Sequence, residues 1–317
     1  MDIESMRRRT ILVLLSGILF SLASCLAQAI ASTAAPYTFH IPADEISLRF
    51  HASDANGKPM TQLTVADLKL SDNGKAQSHI VTLQPLTDLP IRAGFLFDIS
   101  ASVIKDMDFY ESVIQIYASR LLRKGVDQGF VMQFDTQTLV TQDWTGLDSA
   151  IASGAAGVGP RPDRYAPLTA IFDSLYTTCR DQWTPQSEPT GNFILLFTDG
   201  EDDASHAYLS EAVDMCQRKH VAIYVIDRSR SSRGSDGYKT LNNLASQTGG
   251  RVFIHPREAD LWPDLEMMEA EQRNQYLLVY KPSQLKTDGS FHGIRLQSTV
   301  PGAHIAARSG YYAFARP

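Results

Sequence analysis

Short apolar segments alternate with amphipathic segments between about residues 91 and 272, and this alternation constrains the fold more than any other feature of the chain. Three of the apolar segments are AGFLFD (93–98), NFILLFTDG (192–200) and VAIYVID (221–227). Strands that are apolar throughout are buried on both faces, and helices between them cover a parallel sheet on both sides. We therefore predict an α/β fold with a doubly wound, mostly parallel sheet. Ligand sites in such sheets lie at the carboxyl ends of the strands.

The same pattern predicts the other elements of this region. A helix follows the first strand and directs Val103, Met107 and Val113 inward. The remaining predicted elements are a strand pair at 129–135 and 138–144, a strand at 251–255, and helices at about 168–180, 208–218, 238–246 and 260–273.

The flanks of this region have antiparallel β character. Residues 37–90 contain the turn DNGK (72–75) between alternating segments, which is a strong hairpin signal. Residues 275–317 contain YLLVYKP (276–282) and two further alternating segments. We interpret the two flanks as halves of one β-sandwich-like domain into which the α/β domain of residues 91–272 is inserted. Two unrelated β appendages are the alternative, but hairpins that small are barely stable alone.

The N-terminus has the pattern of an export signal. Three arginines (7–9) precede the apolar segment 11–31, so we assign residues 1–31 to a signal. The tetrapeptide ending at Cys25 resembles a lipobox, whereas 27–29 (Ala-Gln-Ala) suits ordinary signal peptidase, and an uncleaved anchor is a third reading. All three readings place the folded part outside the cytoplasm, in the periplasm, the cell envelope or the extracellular space.

Composition excludes some partners. The chain of 317 residues has 44% hydrophobic and 20% charged residues and a net charge of −6, as an ordinary globular protein does. This charge and the lack of a basic patch argue against binding to nucleic acid. No apolar run beyond the N-terminus is long enough to span a membrane. Cys179 and Cys216 lie in separate helical stretches, and we favour two buried free thiols over a disulfide.

Oxygen-bearing side chains follow the predicted strands. Asp98, Ser100 and Ser102 follow the first strand, Thr169 opens a helix, and Asp199 ends the most apolar strand. Asp and Ser are also favoured helix N-caps, so DISAS by itself is weak evidence. All three loops fall at one edge of the sheet, however, and five hard oxygen donors suit Mg²⁺, or Mn²⁺ or Ca²⁺. Such an ion would keep an open position for an incoming Asp or Glu carboxylate.

DISAS, Thr169 and FTDG, in this order, resemble the metal-ion-dependent adhesion site of von Willebrand factor type A domains. The resemblance covers about residues 91–272. It implies an adhesion-type module that binds a protein partner, not an enzyme. The ion-binding residues implied by the resemblance are Asp98, Ser100, Ser102, Thr169 and Asp199. With its flanks, the chain resembles the exported bacterial "VWFA-related" proteins known largely from Acidobacteria. Ala101 and Leu168 stand where that family usually has glycine.

Enzyme classes fit the sequence less well. It has no G-x-S-x-G elbow, no zinc-type spacing among its eight histidines, and no phosphate-binding glycine loop. Asp98 could act as the nucleophile of a phosphatase, but Ser100 occupies the place of the general acid that such enzymes need, and a hydroxyl cannot serve as an acid at neutral pH. A structural scaffold with a vestigial metal site is a further alternative.

Some neighbouring residues allow weaker interpretations. The acidic run 201–203 could tune the ion, although a merely solvated loop is the interpretation we favour. Arg161 and Arg164 could meet an acidic partner or lie in a solvated loop. Asp135 is predicted to be a turn residue.

Overall fold

The computed structural model describes residues 44–160, 168–228, 233–254 and 257–314. The signal segment, Cys25, Arg161 and Arg164 lie outside these residues. The strands, in chain order, are β1 (Ile46–Ser53), β2 (Leu68–Asp72), β3 (Lys75–Ala76), β4 (Ile80–Leu86), β5 (Ile91–Asp98), β6 (Gln128–Phe134), β7 (Thr138–Thr145), β8 (Gly191–Phe197), β9 (Val221–Asp227), β10 (Val252–Ile254), β11 (Gln275–Tyr280), β12 (Asp288–Ser298), β13 (His304–Ala307) and β14 (Gly310–Phe314).

Six α-helices accompany these strands in the described part of the chain. They are α1 (Met107–Arg120), α2 (Asp148–Ala156), α3 (Ile171–Gln182), α4 (Leu209–Arg218), α5 (Asp236–Thr248) and α6 (Glu258–Arg273). Single 3₁₀ turns cover Val65–Asp67 and Ile104–Asp106. None of the helices within the described residues has the length and apolar character that a membrane span requires.

The central sheet has six strands in the order β10-β9-β8-β5-β6-β7. Neighbouring strands are parallel except β7, which pairs antiparallel with β6. Helices α1, α2 and α6 contribute to the apolar core on one face, and α3, α4 and α5 contribute to the core on the other. The predicted doubly wound, mostly parallel α/β fold is therefore confirmed.

Helix α2 was not predicted, and its sequence explains why. DSAIASGAA is short and consists mainly of small residues, so only Ile151, Gly154 and Ala155 form its buried face. A Cβ atom at Gly154 would lie 2.4 Å from the Cβ of Gln142 on β7. The glycine therefore lets the helix approach the edge strand closely, a tertiary requirement that the helical period does not reveal.

The flanking strands form two antiparallel sheets of four strands each, β13-β1-β11-β4 and β14-β12-β2-β3. Strand β1 pairs with β11, and β2 pairs with β12, so each sheet joins strands from both ends of the chain. One apolar core lies between the two sheets and includes Leu48, Leu70, Leu278 and Leu296. The α/β domain is thus inserted into a sandwich-like β domain. The limits drawn at 37–90, 91–272 and 275–317 stay predictions.

A partly buried ion pair ties the two connections between these parts together. Asp127, just before β6, accepts hydrogen bonds from the amide of Ile91 at 2.8 Å and from the guanidinium of Arg273 at 2.6 and 3.0 Å. Arg273 ends α6 and also donates to the carbonyl of Leu89. The chain therefore enters and leaves the α/β domain through one hydrogen-bonded cluster at the amino-terminal edge of the sheet.

Cys179 of α3 and Cys216 of α4 form a disulfide, with their Cα atoms 5.0 Å apart. Both side chains are fully buried in the same core. The prediction of two free thiols was wrong, because the packing of α3 against α4 brings together two cysteines that are 37 residues apart in the sequence.

Candidate functional site

Strand β5 lies between β8 and β6, so the order of the strands reverses at β5. In sheets of this kind, the crevice beyond the carboxyl ends at such a reversal is the usual ligand site. The register places Phe97 of β5 opposite Phe197 of β8, and Asp98 opposite Phe134 of β6. The residues that follow these strands therefore lie at the same edge of the sheet.

Asp98 is fully buried at the end of β5. Its Oδ1 accepts a hydrogen bond of 2.8 Å from the amide of Ser100, and its Oδ2 accepts one of 2.7 Å from the hydroxyl of Thr198. Burial raises the pKa of Asp98 to about 6. The hydrogen bonds from Thr198 and Ser100 oppose this rise, whereas the negative charge of Asp199 adds to it.

The two serines carry the site from the interior to the surface. The side-chain oxygens of Ser100 and Ser102 are 3.3 Å apart. Ser100 is buried, but Ser102 is exposed. The row of oxygens that starts at Asp98 therefore reaches solvent at Ser102.

Asp199 follows β8 in a turn that needs two glycines. Gly200 has φ +84°, and a Cβ atom there would lie 2.5 Å from the carbonyl oxygen of Gly237 in α5. A Cβ atom at Gly237 would in turn lie 2.6 Å from the carbonyl oxygen of Asp199. The side chain of Asp199 accepts a hydrogen bond from the amide of Glu201 at 3.2 Å. Helix α5 therefore packs closely against the loop that holds this carboxylate.

Thr169 reaches the same edge through backbone contacts. The next amide, of Ala170, donates to the carbonyl of Asp135, which directly follows the strand beside β5. The amide of Thr169 itself donates to Oδ1 of Asp203 at 2.7 Å, and its carbonyl accepts from the amides of Asp203 and Ala204 at 3.1 Å each. Two loops from different strands thus hold Thr169 in place.

The five predicted site residues fall into two groups. Asp98, Ser100, Ser102 and Asp199 are linked to one another by hydrogen bonds or by the electrostatic effect of one carboxylate on the other. Thr169 lies at the same sheet edge, but within the described residues no hydrogen bond joins its hydroxyl to those four.

Three further residues support the site: Thr198 was not named from the sequence, and Asp202 and Asp203 were named only as part of an acidic run that could tune the ion. Thr198 stands in the FTDG motif, directly beside Asp199. This position was the only feature of the sequence that indicated a role for it. Asp203 binds the amide of Thr169, and Asp202 accepts from the amide of Phe172 at 3.0 Å at the start of α3. The interpretation of 201–203 as a merely solvated loop was therefore wrong for two of its three members. Asp135 is a turn residue as predicted, since its side chain accepts from the amide of Gln137.

No protein-family model matches the chain, and no curated protein does. Solved structures do resemble it. BatB from Bacteroides thetaiotaomicron has a TM-score of 0.46 and 17% identity over 56% of this chain and 96% of its own. An aerotolerance-related membrane protein from Bacteroides fragilis has a TM-score of 0.45 and 15% identity, with 57% and 98% covered. Proximal thread matrix protein 1 from the mussel byssus, with a zinc-occupied MIDAS motif, has a TM-score of 0.49 and 16% identity, with 63% and 50% covered. Likeness at this level carries no functional conclusion.

The donor set suits a hard cation better than a transition metal. Within the described ranges, no three His, Cys, Asp or Glu side chains come together as a metal site. The candidate site instead offers two carboxylates and three hydroxyls. The carboxylate of Asp199 is among the groups that raise the pKa of Asp98. Two neighbouring carboxylates are an electrostatic setting in which a divalent cation binds well.

Proposed function

We propose that this chain is an exported, adhesion-type module that binds a protein partner through a Mg²⁺-type ion at the carboxyl-terminal edge of its central sheet. Asp98, Ser100, Ser102, Thr169 and Asp199 would hold the ion, and Mn²⁺ or Ca²⁺ could replace Mg²⁺. The observation that carries the proposal is the buried carboxylate of Asp98 beside that of Asp199, held by hydrogen bonds from one amide and one hydroxyl.

The charge of the site favours an acidic ligand. Three of the five protein ligands are hydroxyls, which bring no charge, so the ion receives little negative charge from the protein and stays electrophilic. A carboxylate from an Asp or Glu of the partner would complete its ligand shell. The partner would approach from the side of Ser102, because that end of the oxygen row is exposed.

Two features support a location outside the cytoplasm. The N-terminal pattern of residues 1–31 is that of an export or lipoprotein signal, with Cys25 as the lipidation site in the second case. The disulfide between Cys179 and Cys216 is of the kind that forms in oxidising compartments. In this proposal the N-terminal segment or its lipid is the only link to a membrane, and nucleic acid is not a partner.

We do not propose a catalytic role. Ser100 still occupies the position at which a phosphatase of the Asp-nucleophile class would need its acid. The second candidate is a structural scaffold with a vestigial metal site. The two readings differ in one property, because only the adhesion module responds to divalent ions.

Thermal melting of the full chain with Mg²⁺ and with EDTA tests the metal site. A ligand that binds only the folded state raises the melting temperature, so we expect Mg²⁺ to raise it for the wild type but not for Asp98→Ala. The matched control is Glu188→Ala, an exposed acid just before the amino-terminal end of β8, which should respond like the wild type. No response of the wild type to millimolar ion would favour the scaffold.

Affinity capture from a cell-envelope fraction tests the adhesive role. We expect a partner to be retained with Mg²⁺ and released by EDTA, and neither Asp98→Ala nor Thr169→Ala should retain it. Both variants should keep the circular dichroism of the wild type. If both variants retained the partner in EDTA, the proposal would be wrong.

A further inference from the structure

A second cluster of metal-ligating side chains lies in the β domain, apart from the edge of the central sheet. Asp72 ends β2, Tyr280 ends β11, and His292 and Tyr311 lie on β12 and β14. All four side chains are buried, with exposed fractions between 0% and 4%. Tyr280 belongs to one sheet and the other three belong to the second, so the cluster bridges the two layers.

Contacts within this cluster converge on the carboxylate of Asp72. Its Oδ2 accepts hydrogen bonds from the hydroxyl of Tyr280 at 2.8 Å and from that of Tyr311 at 2.9 Å. Its Oδ1 lies 3.1 Å from Nδ1 of His292, which is 3.2 Å from the Tyr311 hydroxyl. The other three side chains thus all lie within hydrogen-bond distance of the Asp72 carboxylate.

These distances match the edges of a coordination polyhedron. An octahedral ion with bonds of about 2.0–2.1 Å has neighbouring ligand atoms about 2.9 Å apart. The distances from Oδ2 of Asp72 to the hydroxyls of Tyr280 and Tyr311 have this length, and Nδ1 of His292 lies 3.1 Å from Oδ1 of the same carboxylate. The same distances also suit hydrogen bonds between neutral phenols and a carboxylate, so an ion must displace the phenolic protons to bind.

The need to displace protons selects the kind of ion. The hydroxyls of Tyr280 and Tyr311 both donate hydrogen bonds to Asp72, so both phenols keep their protons while no metal is bound. Mg²⁺ and Ca²⁺ favour carboxylate, carbonyl and water ligands, whereas iron is also held by tyrosine and by histidine in proteins. One carboxylate and two phenolates would carry three negative charges, which balance a trivalent cation.

An access route adjoins the cluster. Asp72 and His292 line a cavity of about 350 Å³. Lys75 and Lys286 line the same cavity. Asp288 lines it too and offsets part of their charge. The two lysines could still contact the anionic chelate in which a trivalent ion travels in neutral solution, because such ions hydrolyse when free.

We propose that Asp72, Tyr280, His292 and Tyr311 bind one hard trivalent cation of the Fe³⁺ type in the β domain. Binding forms bonds from the ion to one carboxylate oxygen, two phenolate oxygens and Nδ1 of His292. The two phenolic protons pass to solvent, and the oxidation state of the ion does not change. The site is independent of the proposed Mg²⁺ site, and neither needs the other.

Titration of the full chain with ferric nitrilotriacetate tests this site. We expect one iron per chain and a visible phenolate-to-iron charge-transfer band. The band should be lost in Tyr280→Phe and Tyr311→Phe, which remove only a hydroxyl group. Tyr312→Phe, the neighbour of Tyr311 on β14, is the matched control and should keep the band. Asp98→Ala should keep it as well, which separates this result from the fate of the Mg²⁺ proposal.

A second measurement does not depend on any variant's folding. Titration of the wild type with Ga³⁺ citrate should give an ultraviolet difference spectrum equal to two deprotonated tyrosines per chain. A wild type that shows neither the iron band nor tyrosine deprotonation would overturn the proposal. Persistence of the band in a folded Tyr280→Phe/Tyr311→Phe double variant would overturn it too, because the iron would then be bound elsewhere. In either case the four side chains only join the two sheets.

Discussion

The hydroxyl of Thr198 donates a hydrogen bond of 2.7 Å to Oδ2 of Asp98, across 100 residues of sequence. The two residues lie at the ends of neighbouring parallel strands, and their contact orients the buried carboxylate. Thr198 also accepts from the amide of Gly200 at 3.3 Å, so it joins the loops after β5 and β8. It therefore positions a proposed metal ligand without being one.

Replacement of Thr198 with valine should weaken Mg²⁺ binding while preserving the shape of the side chain. Loss of an orienting partner of a metal ligand typically costs about 10–100-fold in affinity. The variant should also lose about 1–3 kcal/mol in the free energy of unfolding in EDTA, because a buried acceptor loses its donor. Calorimetric titration and urea unfolding measure the two effects. Thr177→Val, on the partly exposed face of α3, is the control. Unchanged affinity would refute the orienting role.

Replacement of Asp203 tests whether its contact with Thr169 places that hydroxyl at the metal. Asp203→Ala removes the acceptor of the Thr169 amide, so we expect Mg²⁺ affinity to fall about tenfold or more. Asp203→Asn keeps an acceptor oxygen and should restore most of the affinity. Glu201→Ala, an exposed acid in the same loop, removes the same charge and serves as the control. Equal losses of Mg²⁺ affinity in all three variants would show that the negative charge of the loop matters and the contact with Thr169 does not.

Removal of the disulfide should lower stability without changing the fold. The cross-link joins cysteines 37 residues apart, and the loop-entropy estimate for such a link is about 3–4 kcal/mol. The double variant Cys179→Ala/Cys216→Ala should therefore unfold at a lower urea concentration. Mg²⁺ should still raise its melting temperature, because neither cysteine touches the candidate site. A variant as stable as the wild type would contradict the estimate.

Acid should destabilise the connections between the two parts through Asp127. Burial acts to raise the pKa of Asp127, but hydrogen bonds from Arg273 and from the amides of Ile91 and Arg123 outweigh it, so the pKa is lowered. An aspartate in the unfolded chain has a pKa of about 3.9. The stabilising contribution is therefore complete above about pH 4 and is lost as the pH falls through the lower pKa of the folded state.

Asp127→Asn isolates this contribution. The variant should be less stable than the wild type at pH 7, and the difference should shrink below about pH 4. Urea unfolding between pH 7 and pH 3 measures it. Asp148→Asn, at the exposed start of α2, is the control and should follow the wild type at every pH. A constant difference across this range would rule out a lowered pKa as its source.

The candidate site was predictable to the extent that it is local. A strand that ends in DISAS places Asp98 at the carboxyl edge, and FTDG does the same for Asp199. The supporting contacts of Thr198 and Asp203 were not predictable, because they depend on which strands become neighbours and in what register. The sequence suggests that the acidic run 201–203 is only solvated. In the structure, two of its carboxylates accept hydrogen bonds from backbone amides at or just before the start of α3.

The sequence by itself determined the architecture of this protein. Apolar strands that alternate with amphipathic helices require a parallel sheet covered on both faces. The alternation of apolar and polar residues in the two flanking segments requires antiparallel sheets with one face exposed. Only the tertiary structure decided the pairing of Cys179 with Cys216, the close packing of α2 on β7, and the convergence of Asp72 with two tyrosines and a histidine. The physical reason is that periodicity records which face of an element is buried. Contacts between distant side chains depend instead on register and on the packing of one layer against another.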